Sequence, residues 1–268
     1  MKDGSVFKRY ELKFLITEEQ MREILWKIRD RMREDEHGRS TILSLYYDTP
    51  DHLLITRSME HPVYKEKLRL RSYGVPKDED KVYLELKKKY KKEVFKRRIT
   101  ILAKDAATMK DANGNFEIKL PKDSEGDFRK NQIAKEIAYS ANGYEGLAPA
   151  MLLSYERDAW FCKDDENLRI TFDRNVLWRD YDLDLRVGIY GKPIIPGGQV
   201  LMEIKVPGGF PLWLTEILSK EKIYKTSFSK YAHAYEAMMQ QKAIKNNLKL
   251  YSNERSIFNN EYDFSRAV

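Results

Sequence analysis

The stretch from Lys67 to Leu102, KLRLRSYGVPKDEDKVYLELKKKYKKEVFKRRITIL, limits what this chain can fold into more than any other. Leu68 and Leu70 alternate with Lys67, Arg69 and Arg71, and a turn follows over Tyr73-Gly74-Val75-Pro76 and the charged run Lys77 to Asp80. Val82, Leu84 and Leu86 then alternate with Tyr83, Glu85 and Lys87, and Val94-Phe95 leads into Lys96, Arg98 and a hydrophobic exit. Strand side chains point to opposite faces in turn, so the spacing predicts three consecutive strands, each with one apolar and one charged face. One such strand is ordinarily a solvated outer face. Three adjacent ones, with long cations on one side and a lone carboxylate among them, ask for a different explanation.

The 42% hydrophobic and 12% aromatic content of the 268 residues suffices for a packed core. A net charge of +7 favours a polyanionic partner, but with 42 acidic residues the excess must be concentrated somewhere to matter. The single cysteine, Cys162, excludes an internal disulfide and a thiolate cluster, and suits a reducing compartment. No apolar run approaches the roughly 18–20 residues that span a bilayer, and MKDGSVFKRYELKFLI lacks the apolar core of a signal peptide. The expectation is a cytoplasmic protein, or the cytoplasmic part of a larger assembly.

Elsewhere Arg9 to Ile16 reads as a strand, and Thr17-Glu18-Glu19-Gln20 as the capping box of a helix running to about Arg33 on a stripe of Met21, Ile24, Leu25 and Ile28. Ser44 to Pro50 is a strand and turn, and residues 51–66 a short helix with irregular chain around His61-Pro62. The lysine-rich region from Asp105 to Ser140 should hold one or two helices and loops. Leu153 to Phe161, Leu168 to Asp173 and Val200 to Val206 alternate as strands, while Asn175 to Arg186 reads as strand plus loop. Two helices close the core, Leu212 to about Glu221 and Ser229 to about Asn246. No linker or composition break appears, so residues 1–250 are expected to form one domain, with 251–268 a polar tail. Roughly eight strands with charged faces, and amphipathic helices to cover outward apolar faces, predict an α+β antiparallel barrel.

Glu-x-Lys recurs on strands with hydrophobic flanks, as Glu11/Lys13, Glu85/Lys87 and Glu203/Lys205. With those faces inside a barrel, the interior holds Lys13, Arg69, Arg71, Lys87, Lys96, Arg98, Arg157, Arg169 and Lys205. Such cations cannot be buried dry and unpaired, since each would cost several kcal/mol. They need water, carboxylates or a bound polyanion. Arg grips phosphate oxygens bidentately and Lys adds a compact charge. Glu11, Glu85 and Glu203 suit Mg²⁺ or Mn²⁺ shared with phosphate oxygens. Metal-assisted phosphoryl transfer is the chemistry implied.

The sequence resembles the VTC domain, the polyphosphate polymerase domain of the vacuolar transporter chaperone family, within the triphosphate tunnel metalloenzyme superfamily. The matching pieces are Arg9-Tyr10-Glu11-Leu12-Lys13-Phe14, Leu45-Tyr46-Tyr47-Asp48-Thr49, Lys67 to Arg71, Leu84 to Lys87, Phe95 to Arg98, Ser154 to Arg157, Arg169 to Asp173, Met202 to Lys205 and Ser229-Lys230-Tyr231. They come in the family's order. The resemblance implies an eight-stranded tunnel holding ATP, triphosphate or polyphosphate, with the strand cations as phosphate ligands. Of these, Lys13, Arg69, Arg71, Lys87 and Arg157 would serve the reaction most directly. Lys230 would cap the tunnel from the start of the last helix, where the helix N-terminus also favours anions, and Glu203 would hold Mn²⁺ or Mg²⁺. Where the family pattern has a second lysine close to Lys230, this chain has Ser227, with Lys225 nearby.

Polymerase, inorganic triphosphatase and non-catalytic polyphosphate or inositol-phosphate-type sensor all fit such a tunnel. A nucleic-acid partner is not expected, because it calls for exposed cations interleaved with aromatics. With no membrane insertion by this chain, coupling to export would need a membrane-protein partner. The run Lys88 to Lys92 reads as solvated, Tyr46, Tyr47 and Tyr73 as packing, Cys162 as buried, and the four histidines lack metal-ligand spacing.

Overall fold

Among the described residues alternation builds ten strands: β1 (Arg9–Thr17), β2 (Met32–Glu34), β3 (Ser40–Asp48), β4 (Tyr64–Tyr73), β5 (Lys81–Tyr90), β6 (Glu93–Leu102), β7 (Ala148–Cys162), β8 (Arg169–Arg179), β9 (Lys192–Pro193) and β10 (Gln199–Pro207). The α-helices are α1 (Glu18–Ile28), α2 (Leu53–Met59), α3 (Phe128–Asn142), α4 (Leu212–Lys220) and α5 (Lys230–Glu261). The structure, a computed structural model, describes residues 9–60, 62–91, 93–124 and 126–261, with side chains to 247 except those of Arg9 and Ala107.

The strands pair antiparallel in the order β1-β10-β8-β7-β3-β4-β5-β6, with β2 beside β7 and β9 beside β8. Among the described residues no pairing joins β1 to β6, so hydrogen bonds do not complete the ring. The sheet nevertheless curls into a tunnel-like barrel, because Glu11 of β1 and Lys205 of β10 line the same spaces as Lys67 of β4 and Lys87 of β5.

Apolar faces point outward and are covered. Leu68, Leu70, Leu84, Leu86, Ile99 and Ile101 pack under Ala134, Ile137 and Ala141 of α3 and under Met109 and Phe116 of the segment before it. At the other end of the sheet Phe14, Ile16, Ile170, Phe172, Met202 and Ile204 meet Met21, Ile24 and Ile28 of α1 and Leu214 and Leu218 of α4. Each buried Leu, Ile, Phe or Met among them contributes about 1.5–3 kcal/mol by leaving water, which makes the charged faces the ones left inside. The start of α5 differs, since Tyr231, Ala234 and Met238 pack with Tyr46, Met151, Leu153 and Trp178 on the inner face. Tyr231 stacks on Tyr46 with ring centroids 4.3 Å apart.

The capping box forms, with Gln20 N donating to Thr17 Oγ1 at 3.1 Å and Thr17 N to Gln20 Oε1 at 3.0 Å. The first helix stops at Ile28 and not near Arg33, because Met32–Glu34 pairs with Cys162–Trp160 and thereby buries Met32. The strand read to Asp173 and the strand expected from Asn175 are one element: β8 continues to Arg179 through Asn175, whose φ is +50°. Asn tolerates that left-handed conformation, and a register shift between Ser154 and Glu156 on β7 absorbs the irregularity. The last helix passes Asn246 and reaches Glu261. His61, Lys92 and residues 262–268 lie outside the described residues.

Candidate anion-binding tunnel

Antiparallel register sets the rungs of the interior. Arg69 lies opposite Glu85 and Glu85 opposite Arg98; Lys67 opposite Lys87 and Lys87 opposite Lys96; Lys13 opposite Glu203; and Lys205 between Glu11 and Arg169. A central cavity of about 190 Å³ is lined by Glu11, Lys13, Tyr46, Lys67, Arg69, Arg71, Lys87, Tyr155, Arg157, Glu203, Lys205 and Lys230. It shares Lys67, Lys87, Lys205 and Glu11 with a space of about 430 Å³ that adds Lys65 and Lys89. It shares Arg71, Arg157 and Lys205 with one of about 730 Å³ that adds Tyr73, Tyr83, Lys96, Arg98 and Arg169. The interior is thus a cationic passage with two mouths.

The carboxylates fall into separate groups. Asp173 receives both Arg157 Nε and Nη2, at 2.5 and 2.6 Å, and lies 2.5 Å from Lys230 Nζ. Glu203 takes Lys230 at 3.0 Å, Arg157 at 3.4 Å and Lys13 at 3.6 Å. Lys230 therefore bridges two buried carboxylates from the first turn of α5. Glu85 is ringed by Lys96 at 2.7 Å, Arg69 at 2.8 Å, Arg98 at 3.5 Å and Arg71 at 3.9 Å. Glu11 is half-exposed and loosely paired, with Lys13 at 3.6 Å and Lys205 at 3.7 Å.

Residues 8–239 match the VTC domain family. The chain belongs to the VTC domain family. The curated protein "Vacuolar transporter chaperone complex subunit 4" of Trypanosoma brucei brucei is 26% identical over 224 residues, which is 72% of this chain and 28% of that protein. The VTC domain described here therefore spans little more than a quarter of that relative. Two bacterial structures solved as candidate adenylate cyclases are also similar. The one from Bacillus halodurans has a TM-score of 0.46 and 16% identity over 82% of this chain and 92% of its own. The one from Vibrio parahaemolyticus has a TM-score of 0.43 and 12% identity over 85% and 97%. At these scores neither bears on the reaction. Among the described residues no helix of the VTC domain is long and apolar enough to cross a membrane.

Every cation singled out from the sequence of this VTC domain lines the passage: Lys13, Arg69, Arg71, Lys87, Lys96, Arg98, Arg157, Arg169, Lys205 and Lys230. The three glutamates do not converge, and among the described residues no three His, Cys, Asp or Glu side chains gather as a metal cage. Glu85 stands apart from the other two. It sits behind its four cations and lines none of the three spaces, so a divalent ion there would meet net repulsion. Glu11 lines the passage and shares Lys13 with Glu203, at 3.6 Å from each. Glu203 alone of the three fits a metal bound by one or two carboxylates and completed by substrate phosphate oxygens, the usual habit of Mg²⁺. Lys225 and Ser227 are exposed and line none of the spaces, so Lys230 is the lysine that α5 and its lead-in supply there.

Sequence reasoning passed over Asp173 and Lys67 as site residues. The alternation Arg169-x-Thr171-x-Asp173 put Asp173 on the face of Arg169, and Lys67 shares a face with Arg69 and Arg71. What could not be read was that Asp173 meets Lys230, 57 positions on in the numbering, with 0% of its side chain exposed.

Titration follows from this crowding. Burial would raise the Glu203 carboxyl, but Lys230, Lys13 and Arg157 hold it well below the usual carboxylate range. Burial opposes the Lys230 ammonium, yet Asp173 and Glu203 keep it above its ordinary value. Burial lowers Lys67 to about 8, with Tyr46 opposing and Lys65, Lys87 and Lys13 adding repulsion. Burial would raise the Tyr46 phenol, but Arg69, Lys67 and Arg71 bring it down to about 8. Either deprotonation removes one positive charge from the lining. A bound polyanion restores it, so binding takes up a proton above pH 8. Calorimetric affinity for tripolyphosphate, taken relative to a Lys67→Met/Tyr46→Phe variant to cancel the ligand's own ionisation, is expected to fall about tenfold from pH 7 to 9. A ratio constant to pH 9 would contradict the assignment.

Proposed function

We propose that this VTC domain is a polyphosphate polymerase-like phosphotransferase that moves the γ-phosphoryl group of ATP onto a polyphosphate end inside the cationic passage. The observation that carries the reading is the charge imbalance. Lys67, Lys87 and Arg169 have no carboxylate within 4.0 Å among the described residues, while the carboxylates present are already shared by several cations each. An anion with charge on every unit satisfies such a lining. A terminal oxygen of the acceptor chain attacks the γ-phosphorus, the bond to the β–γ bridging oxygen breaks, and ADP leaves with that electron pair. One phosphoanhydride is made for each one broken. Arg69, Arg71, Lys87 and Arg157 neutralise and align the phosphoryl oxygens, and Tyr46, which accepts from Arg69 Nη1 at 3.0 Å, fixes that guanidinium. Glu203 would hold Mg²⁺ or Mn²⁺ with phosphate oxygens, and such a metal supplies further neutralisation of charge spread over the transferring group.

A cytoplasmic setting with a membrane-protein partner for export belongs to the same proposal; it is supported by the relative's name as a subunit of a transporter chaperone complex. One observation favours a second reading. The Lys230 ammonium already bridges Asp173 and Glu203, which suits a metal-free anion sensor. Incubation with ATP and Mn²⁺ or Mg²⁺, read on a gel for polymer and by assay for ADP, separates the readings. Polymer with matching ADP, abolished in Arg69→Ala, is the expected result. Free phosphate from tripolyphosphate without polymer would make the domain a triphosphatase. A raised melting temperature with tripolyphosphate and no turnover under either metal would make it a sensor.

A further inference from the structure

We infer that the mouth beside Tyr73 is a nucleoside subsite, which seats the base of the phosphoryl donor while its phosphates enter the centre. This rests on the reading that ATP is that donor. The central cavity of about 190 Å³ is below the roughly 300 Å³ at which pockets begin to take drug-sized molecules, so it holds phosphoryl groups and not a base and ribose as well. The nucleoside must then occupy one of the two end spaces.

Their chemistry differs. The space of about 430 Å³ is lined by Lys65, Lys67, Lys87 and Lys89 with Val94, and no aromatic ring is among its lining residues. It offers charge alone. The space of about 730 Å³ is walled by two inward-facing tyrosines beside Arg71 and Arg98. Tyr73 and Tyr83 meet edge to face, with centroids 5.8 Å apart and planes at 78°. The Arg98 guanidinium lies over Tyr83 at 3.7 Å, which occupies a face of that ring. Tyr73 is 55% exposed, so it keeps surface open to the space. Aromatic faces and guanidinium planes bind any base by stacking, with modest selectivity. Arg169 also lines this space, and its guanidinium is suited to an α-phosphate oxygen or a ribose hydroxyl. Tyr73, read from the sequence as packing, thus stands where a purine would lie if its triphosphate pointed at Arg71 and Arg157. In-line transfer then leaves the lysine mouth to the acceptor chain.

The test compares ATP with tripolyphosphate, two ligands that share the phosphates and differ in the nucleoside. Calorimetry on wild type, Tyr73→Ala and Tyr73→Phe is expected to show ATP binding weakened about tenfold in Tyr73→Ala, near wild type in Tyr73→Phe, and tripolyphosphate unchanged in both. Equal loss for both ligands would mean that Tyr73 only supports Arg98, and loss for neither would place the base elsewhere; either overturns the subsite. Polymer formation by the wild type is scored separately. Wild type that makes polymer from ATP with no selective Tyr73 effect sinks the subsite alone. Selective loss in a protein that makes no polymer keeps the subsite and sinks the polymerase. Wild type that binds tripolyphosphate but not ATP sinks both.

Discussion

Glu203→Gln is expected to reduce metal-dependent turnover by at least about a hundredfold while tripolyphosphate binds as tightly as before, or more tightly. Glutamine keeps the shape and still accepts from Lys230, so the change removes one negative charge and little else. Lys230 and Arg157 remain anchored by Asp173, at 2.5 Å each, so the wall should not collapse. Lys13, Lys230 and Arg157 would then face the cavity with one fewer counter-charge, which favours a polyanion. Loss of the metal's carboxylate would show as lost turnover at saturating ATP and a raised Mn²⁺ requirement. Unchanged metal dependence would take the metal off Glu203. Turnover and tripolyphosphate binding lost together would make Glu203 a positioner of cations.

Glu85→Gln should destabilise the fold more than Glu203→Gln does, and ligand should repair much of the loss. Burial would raise this carboxyl, but Arg69, Arg71 and Lys96 draw it down to about 2. The folded value lies below the ordinary one, so its stabilisation is complete above the ordinary carboxylate range and is lost as pH falls through about 2. Removing one partner of a buried pair costs about 3–5 kcal/mol. The lower figure applies, because Lys96 and Arg98 are partly exposed and water screens them. For a domain of this size about 3 kcal/mol corresponds to a drop near 10 °C in melting temperature. Tripolyphosphate supplies the missing negative charge, so it should raise the variant's melting temperature by more than it raises the wild type's. A variant that melts like wild type, or gains no more from tripolyphosphate, would show that the four cations do not depend on Glu85.

Much of the tunnel was legible one strand at a time. Lys67, Arg69 and Arg71 share a face because strand side chains repeat every second residue, and the same rule aligned Glu85 with Lys87 and Glu203 with Lys205. Thr17 to Gln20 announced the first helix through local hydrogen bonds alone. Its end was misjudged because Met32 leaves helical spacing only to pair, as a strand, with Cys162 on a segment 130 residues later. The metal candidates are a related case: equal spacing makes Glu11, Glu85 and Glu203 look alike, and only their neighbours separate them.

The sequence by itself determined which residues stand together on each strand face, that those faces are cationic, and that amphipathic helices exist to cover the other side. The tertiary structure decided that the charged faces turn inward, since that depends on α1, α3 and α4 sealing the apolar side and on the sheet curling until β1 and β10 confront β4 and β5. It also decided that Asp173 and Glu203 share Lys230 while Glu85 is fenced by four cations. A period of two residues assigns a side chain to a face, but charge partners are chosen by distances across the barrel, and those exist only once the chain has closed around them.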